Sequence, residues 1–341
     1  MSLQRFSMAT FNLYNLQLPG LKMNRGQKVW TQAEFDQKVG WIGGQLAALD
    51  ADIVGLQELW HADAMAQVLA ARGLDATYDL LAVPATGKRI VCGALVRKGL
   101  LRGDPRWVDK FPEETRLEES NPTDLQAPAI NVIIPGFSRP VLNFQVALRD
   151  DSLTEVFVTH FKSKLPTTIS DEPWFDESFR PHQLALGSAL ATIRRTAEAT
   201  ALRVLLTGVM KASKTPVIVL GDVNDGQHSN TVNILTEQPK YLVGDARGGV
   251  DNALYTAQTL QELRDTRDVY YTHVHNDLRE SLDQVMVSEQ FYDHSRNRLW
   301  LFDGLTINND HLNDEDHKAT GTGDHGVVKV KFRWRPAKTD V

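Results

Sequence analysis

The segment Val217-Ile218-Val219-Leu220-Gly221-Asp222-Val223-Asn224-Asp225 carries the most pointed chemistry in this sequence. An apolar run enters a glycine, then offers a carboxylate and an amide two positions apart. On an extended chain such positions share a face, so Asp222 and Asn224 can approach one ligand together. The same residue types also suit a turn. Ala51–Glu58 follows the same logic, with an apolar run closing on Glu58, whose carboxylate oxygens are the hard donors that Mg2+ or Mn2+ prefers. Glu155–Lys164 delivers His160, with Lys162 and Lys164 on the same alternation, a set suited to an anionic oxygen.

Two further pieces lie near the C-terminus. Leu282–Ser288 starts a strand with Asp283, and Gly323-Asp324-His325-Gly326 precedes the apolar run Val327–Phe332. An aspartate that accepts from a histidine ring N–H fixes the tautomer and raises the ring's basicity. Chain neighbours serve each other poorly in this way. The sequence therefore allows Asp324 to bind a metal while the distant Asp283 orients His325.

Such residues need rigid elements behind them. Ser7–Phe11, Ile53–Leu56, Val91–Val96, Ile130–Ile134, Val141–Val146, Glu155–Thr159, Val217–Leu220, Gln284–Val287 and Val327–Phe332 read as buried or half-buried strands. Helical spacing covers Glu34–Leu49, Asp63–Arg72 (stopped by Gly73), a long stretch opened by Pro181 and running to about Met210, and Asn230–Leu235. In the long helix Leu184, Leu186, Leu190, Ile193, Leu202, Leu205, Leu206 and Val209 are the expected apolar positions. Arg194, Arg195, Glu198 and Arg203 are its expected solvated face. Leu16–Gln27, Pro112–Gln126, Leu165–Phe179 and Asn308–Thr322 are irregular and of a length that often carries function. No repeat or linker divides the chain, which predicts one layered α/β domain over residues 1–335 and a tail over 336–341.

The formal charge of -6, from 37 basic and 43 acidic residues, argues against a broad basic nucleic-acid-binding surface. An anionic substrate would instead be drawn by a local site to which bound cations contribute. The single cysteine, Cys92, excludes an intramolecular disulfide and a Cys-rich zinc site, and within Ile90–Val96 it reads as a core residue. No apolar run reaches the length of a membrane span. Phe6–Asn12 reads as a strand rather than a secretory leader, so the cytoplasm is the expected compartment unless a leader has been removed. Trp174, beside Phe175, is the candidate for base stacking, whereas Trp41 and Trp300 read as packing residues. Asp310, His311, Asp314, Glu315, Asp316 and His317 read as a solvated loop.

The ordered series Asn12, Glu58, His160, Gly221-Asp222-Val223-Asn224, Asp283 and Asp324-His325 resembles the endonuclease/exonuclease/phosphatase superfamily, which includes DNase I-like and exonuclease III-like enzymes. The likeness extends from Thr10 to Phe332. It implies a four-layer sandwich, with two mixed β-sheets packed face to face, helices outside, and a site at one end. It further implies one or two Mg2+ or Mn2+ ions held chiefly by Glu58, with Asn12 and Asp324 completing or supporting the shell. Asp222 and Asn224 would surround the water, a second metal or the phosphate oxygens, and His160 would meet the phosphoryl group or assist the leaving oxygen. Asp283 and His325 would form the orienter–base dyad, with Lys162 and Lys164 as phosphate contacts.

Some positions depart from the superfamily pattern. Gly323 stands where a serine is frequent and Gln284 where a tyrosine or histidine is frequent. Glu280-Ser281-Leu282-Asp283 replaces the Trp-Cys-Asp-Arg signature of the inositol polyphosphate 5-phosphatases, which disfavours that specificity. The motifs are similar to those of bacterial nuclease-type members. The implied function is metal-dependent hydrolysis of DNA or RNA phosphodiesters. A phosphatase or sphingomyelinase-like hydrolase of a lipid or small phosphate ester is the alternative. A catalytically retired binding module is a third reading, but every mapped acid, amide and imidazole is present. The sequence predicts no stable membrane insertion and leaves the oligomeric state open.

Overall fold

The computed structural model describes residues 3–23, 29–83, 89–120, 128–239, 241, 250–265, 271–275, 278–313 and 316–338. One six-stranded sheet orders β15 (Trp300–Asn308), β16 (Val327–Trp334), β1 (Arg5–Leu16), β2 (Ile53–Leu59), β4 (Val91–Arg97) and β3 (Tyr78–Leu81). The other orders β11 (Tyr255–Thr256), β14 (Asp283–Val287), β10 (Val217–Asp222), β9 (Ser152–His160), β8 (Gly136–Arg149) and β5 (Leu101–Lys110). Two small hairpins, β6 (Leu117–Glu119) with β7 (Ile130–Val132) and β12 (His273–His275) with β13 (Leu278–Glu280), lie outside both sheets. The helices are α1 (Gln32–Leu49), α2 (Ala62–Ala70), α3 (Gln183–Met210), α4 (Asn230–Thr236), α5 (Ala257–Glu262) and α6 (His317–Thr320).

Side-chain alternation decides the layering. Met8, Ile53, Val156, Val158, Ile218, Leu220, Val285 and Val330 pack in one cluster drawn from both sheets. Their chain neighbours Ala9, Val54 and Leu56 pack with Phe35, Ile42 and Leu46 of α1 and Met65 and Val68 of α2. Phe157, Val217 and Val219 pack with Leu202 and Leu206 of α3 and Val232 and Leu235 of α4. Strands buried on both faces read as continuous apolar runs, as these do. The result is helices, sheet, sheet, helices, the four-layer sandwich that the resemblance implied. Gly55 marks a close approach of the sheets, since a Cβ there would sit 3.0 Å from the Cβ of Leu220 and 3.2 Å from Cγ1 of Val158.

Each sheet contains one parallel pair with a helical crossover. β1 and β2 pair in parallel across α1, and β9 and β10 pair in parallel across α3. α1 begins at a reciprocal capping box between Thr31 and Glu34 and ends at Asp50 in the left-handed conformation. α3 departs from its expected faces at both ends. Leu184, Leu186, Leu190 and Ile193 are exposed, and Gly187 and Ala191 are buried instead. Arg195, Glu198 and Arg203, expected in solvent, are buried. They are tolerated there because each meets a polar group. Glu198 accepts from the backbone N–H of Ser138 and of Lys162, each at 2.7 Å, and Arg203 donates to the Leu235 carbonyl at 2.9 Å.

β5 escapes sequence patterning because it is an edge strand, with Pro105 and several charges, that pairs only with β8. The Asn308–Thr322 stretch, expected to be irregular, contains the short helix α6. Its His311 is not solvated. The ring is buried against Trp41 at 4.9 Å, and Nε2 lies 2.8 Å from the His325 carbonyl. Asp314 and Glu315 lie outside the described residues. No helix among the described residues is long and apolar enough to cross a membrane.

Candidate active site

The apolar layer between the sheets ends in polar residues on the same alternation. Met8, Thr10 and Asn12 share a face of β1; Val156, Val158 and His160 share one on β9; Ile218, Leu220 and Asp222 share one on β10; Val287, Val285 and Asp283 share one on β14. In the register of the second sheet, Asp222 lies opposite His160 on one side and Asp283 on the other. All four polar side chains are buried. Asn12 Nδ2 donates to Asp222 Oδ2 at 3.2 Å, a bond that joins the two sheets. Asn12 Oδ1 accepts from the Tyr14 N–H at 3.0 Å.

Asp222 is the centre of the constellation. Its Oδ2 is 3.5 Å from His160 Nε2 and 3.8 Å from His325 Nε2, and its Oδ1 accepts from the Asn224 N–H at 2.8 Å. His325 Nδ1 is 2.8 Å from Asp283 Oδ2. With a carboxylate as acceptor, Nδ1 carries the proton and Nε2 faces Asp222. Asn224 turns on a positive φ of 54° and donates from Nδ2 to the Phe161 carbonyl at 3.0 Å, locking the β10 exit onto the β9 exit. Gly221 permits this approach. Its φ is 155°, and a Cβ there would fall 2.0 Å from the Thr159 carbonyl oxygen.

Glu58 reaches the site by a different route. Strand alternation places it with Val54 and Leu56 on the helix-facing side, so a regular β2 would aim it away. The register slips between Leu56 and Leu59 and between Asn12 and Leu16, and Tyr14, Asn15 and Glu58 take positive φ values of 49°, 57° and 59°. These bulges re-aim the side chain. The Asn15 N–H donates to Glu58 Oε2 at 2.9 Å, and Trp30 and Trp60 each donate to oxygens of Asn15 at 2.8 Å.

The electrostatics divide the site. Burial pushes the Asp222 carboxyl up to about 7, against the opposing pull of His325. Burial alone would lower the His325 pKa, but Asp283 and Asp222 outweigh it and hold the imidazole well above its ordinary range. Burial, then the charges of Arg139 and His325, press His160 well below that range, so its ring is neutral. Burial and the neighbouring charge of Asp324 raise Glu58. Two carboxylates close enough for Asp324 to raise Glu58, with the Asn12 amide oxygen, make an all-oxygen donor set that suits a hard dication.

The remaining sequence candidates divide. The Lys162 amine donates to the carbonyls of Ser163 and Leu165, at 3.2 and 2.7 Å. The Lys164 amine pairs with Glu280 and lies 3.5 Å from Asp225. Trp174 is exposed and packs edge-on against Phe179. Sequence reasoning missed Arg139, whose guanidinium donates to the Phe161 carbonyl at 2.9 Å beside His160. It also missed Lys38, fully buried with its amine 5.0 Å from the ring centres of Tyr14 and Trp30. A helical pattern gives no hint that a lysine points inward.

A strand-end site of this composition at one end of a β-sandwich defines a class of phosphoester-cleaving enzymes. A model of the Endonuclease/Exonuclease/phosphatase family matches residues 9–325, and the chain belongs to that family. It is accordingly a metal-dependent phosphoric ester hydrolase. No curated protein matches the sequence significantly. Among solved structures, a D. rerio TDP2 complexed with single strand DNA product matches with a TM-score of 0.54 at 15% identity, covering 96% of this chain and 99% of that one. The human Nocturnin catalytic domain with bound sulfate anion matches with a TM-score of 0.56 at 13% identity, covering 98% and 97%. An endonuclease/exonuclease/phosphatase family protein from Bacteroides thetaiotaomicron matches with a TM-score of 0.56 at 14% identity, covering 97% and 98%. At these identities the likeness speaks for the fold.

Proposed function

We propose that the chain is a nuclease-type phosphodiesterase that hydrolyses DNA or RNA with the support of Mg2+ or Mn2+. The observation that carries this reading is the buried chain Asp283–His325–Asp222–Asn12, which closes one side of a site whose other side holds Glu58 and Asp324. TDP2, which shares the fold, has been crystallised with a single strand DNA product, and Nocturnin with sulfate. Both support an anionic, phosphate-like ligand.

A dication held by Glu58 and Asp324, with Asn12, would neutralise charge on the phosphate when bound. The side chains do the rest. Asp222, kept near neutral pKa by burial, accepts the proton of the attacking water. Asn224 and the neutral His160 direct hydrogen bonds at the phosphoryl oxygens. His325, holding its proton against Asp283, covers the charge that develops and returns a proton to the departing oxygen.

A lipid or small phosphate ester is a second reading, favoured by one observation: both lysines that might have tracked a nucleic-acid backbone are committed to protein partners. A substrate panel separates the two. Single- and double-stranded DNA, RNA, sphingomyelin, phosphoinositides and a bis-aryl phosphodiester are assayed with Mg2+ and with Mn2+. The proposal expects cleavage of a nucleic acid that EDTA abolishes. Turnover confined to lipid or small esters would replace it with the second reading.

A further inference from the structure

The hairpin β12–β13 brings a histidine to the site that no motif of the family predicted for it. His273 pairs across an isolated β-bridge with His325, and the Gly326 N–H donates to the Thr272 carbonyl at 2.7 Å. Thr272 is itself pinned: its hydroxyl accepts from the N–H groups of Leu282 and Asp283, at 3.0 and 3.1 Å. The placement of His273 is therefore a fixed feature of the backbone. Its ring centre lies 4.9 Å from that of His325, and one ligand atom each of His273, Asp324 and His325 lie within 4.8 Å of one another. Among the described residues neither the His273 ring nor the Asp324 carboxylate has a hydrogen-bond partner.

We propose that His273, Asp324 and His325 form a binding site for a borderline transition-metal dication, Zn2+ above all, which shares Asp324 with the oxygen-donor site of Glu58 but differs from it in ligand type. Two imidazoles and one carboxylate leave a fourth position for water, a ligand count that suits Zn2+ and does not suit Mg2+. Zinc–ligand bonds of about 2.0–2.2 Å put neighbouring ligand atoms roughly 3.4 Å apart, so groups that lie within 4.8 Å of one another close by at most about 1.4 Å. Rotation of the half-buried His273 ring supplies that movement. Asp283 already supplies the outer partner that a metal-bound imidazole needs, because it holds Nδ1 of His325, and the dication displaces the proton of Nε2 on binding. Occupation takes Nε2 away from Asp222. On the reading of His325 given above, Zn2+ then competes with the Mg2+-supported reaction instead of sustaining it.

The test reads binding without substrate, so its outcome is separate from that of the hydrolysis panel. Zn2+ is titrated into the full chain by calorimetry in the presence of millimolar Mg2+, with wild type, His273→Phe and His273→Gln compared. The expected result is one equivalent of Zn2+ bound by wild type despite the Mg2+, with an affinity at least tenfold to roughly a hundredfold weaker in both variants. A crystal of wild type soaked in Zn2+ gives a measurement that needs no variant. Its anomalous difference peak at the zinc edge is expected between His273, Asp324 and His325. A peak at Glu58 or between Asp222 and Asp283 alone, or variants that bind Zn2+ as tightly as wild type, would overturn the assignment.

Discussion

Both parallel pairs bring two strand ends together beneath a crossover helix, but β9 and β10 stay in register to their last residues, whereas β1 and β2 slip before theirs. His160 lies opposite Asp222, while the pairing of β1 with β2 breaks between Asn12 and Leu16. The regular pair buries its polar ends at fixed separations, which favours groups that exchange protons. The slipped pair turns a carboxylate from the helix face to the site, at a cost of about 1–3 kcal/mol for each residue held at positive φ. Hydrogen bonds from Asn15, Trp30 and Trp60 hold that strained segment. One half of the molecule thus sets pKa values, and the other aims oxygen atoms.

The crossover helices differ in the same sense. α3 sends Glu198 inward to grip the backbone at the start of β8 and at the exit of β9. α1 sends Lys38 inward to two aromatic faces, and that amine has no hydrogen-bond acceptor among the described residues. The first buried charge is satisfied and fixes geometry. The second is unsatisfied, and burial lowers its pKa to about 7 even though Asp324 and Glu58 favour its charge.

Breaking the proton-handling half should cost the most. Asp222→Asn keeps the shape but removes the acceptor, and kcat is expected to fall by roughly 10^3-fold or more. Glu58→Gln should instead raise the Mg2+ concentration needed for half-maximal rate. Steady-state kinetics over a metal series distinguish the two, and equal metal dependence in both variants would erase the division.

Lys38→Met tests the other half through stability. The folded pKa of about 7 lies below the ordinary value of 10.5, so the folded state carries the full penalty of a buried charge below pH 7 and sheds it as pH rises toward 10.5. The variant is expected to be more stable than wild type by on the order of 3 kcal/mol at pH 7, with the gap closing by about pH 10. Urea unfolding at the two pH values measures it. A gap that does not change with pH would mean that Lys38 is not penalised by burial.

Glu198→Gln sharpens the role of α3. Replacing a buried carboxylate that accepts two backbone N–H bonds should cost about 1–3 kcal/mol of stability. It should also lower kcat more than it changes KM, because it loosens the β9 exit that Asn224 grips. Thermal unfolding together with kinetics separates the two effects. The smallest effect is expected from Trp174→Ala. If this exposed ring stacks on a base, KM for single-stranded nucleic acid rises a few-fold and kcat is unchanged.

Much of this was legible in the sequence where strand periodicity and chemistry coincide. Asn12, His160 and Asp222 continue the alternation of the residues before them, and Asp283 that of Val285 and Val287 after it, so type and position agree. Glu58 was identified by its residue type, but its direction was not readable, because a bulge reverses it. Periodicity also misassigned α3: it gives the spacing of Leu184, Leu186, Leu190 and Ile193 but not the direction in which they point. A helix pattern assigns charges to solvent by default, so Arg195, Glu198 and Lys38 were invisible until the groups around them were known. His273 lay in a hairpin too short and too polar to read, and the alternation of His273 with His275 was the only signal available.

The Asn12–Asp222 bond joins residues 210 positions apart, one from each sheet. Neither half of the chain contains the site. Catalysis is therefore a report on docking: it registers whether two independently patterned halves have met in one register. A substitution far from the site that shifts one sheet against the other by the length of that bond would silence the enzyme while leaving each sheet, and the circular dichroism spectrum, essentially intact.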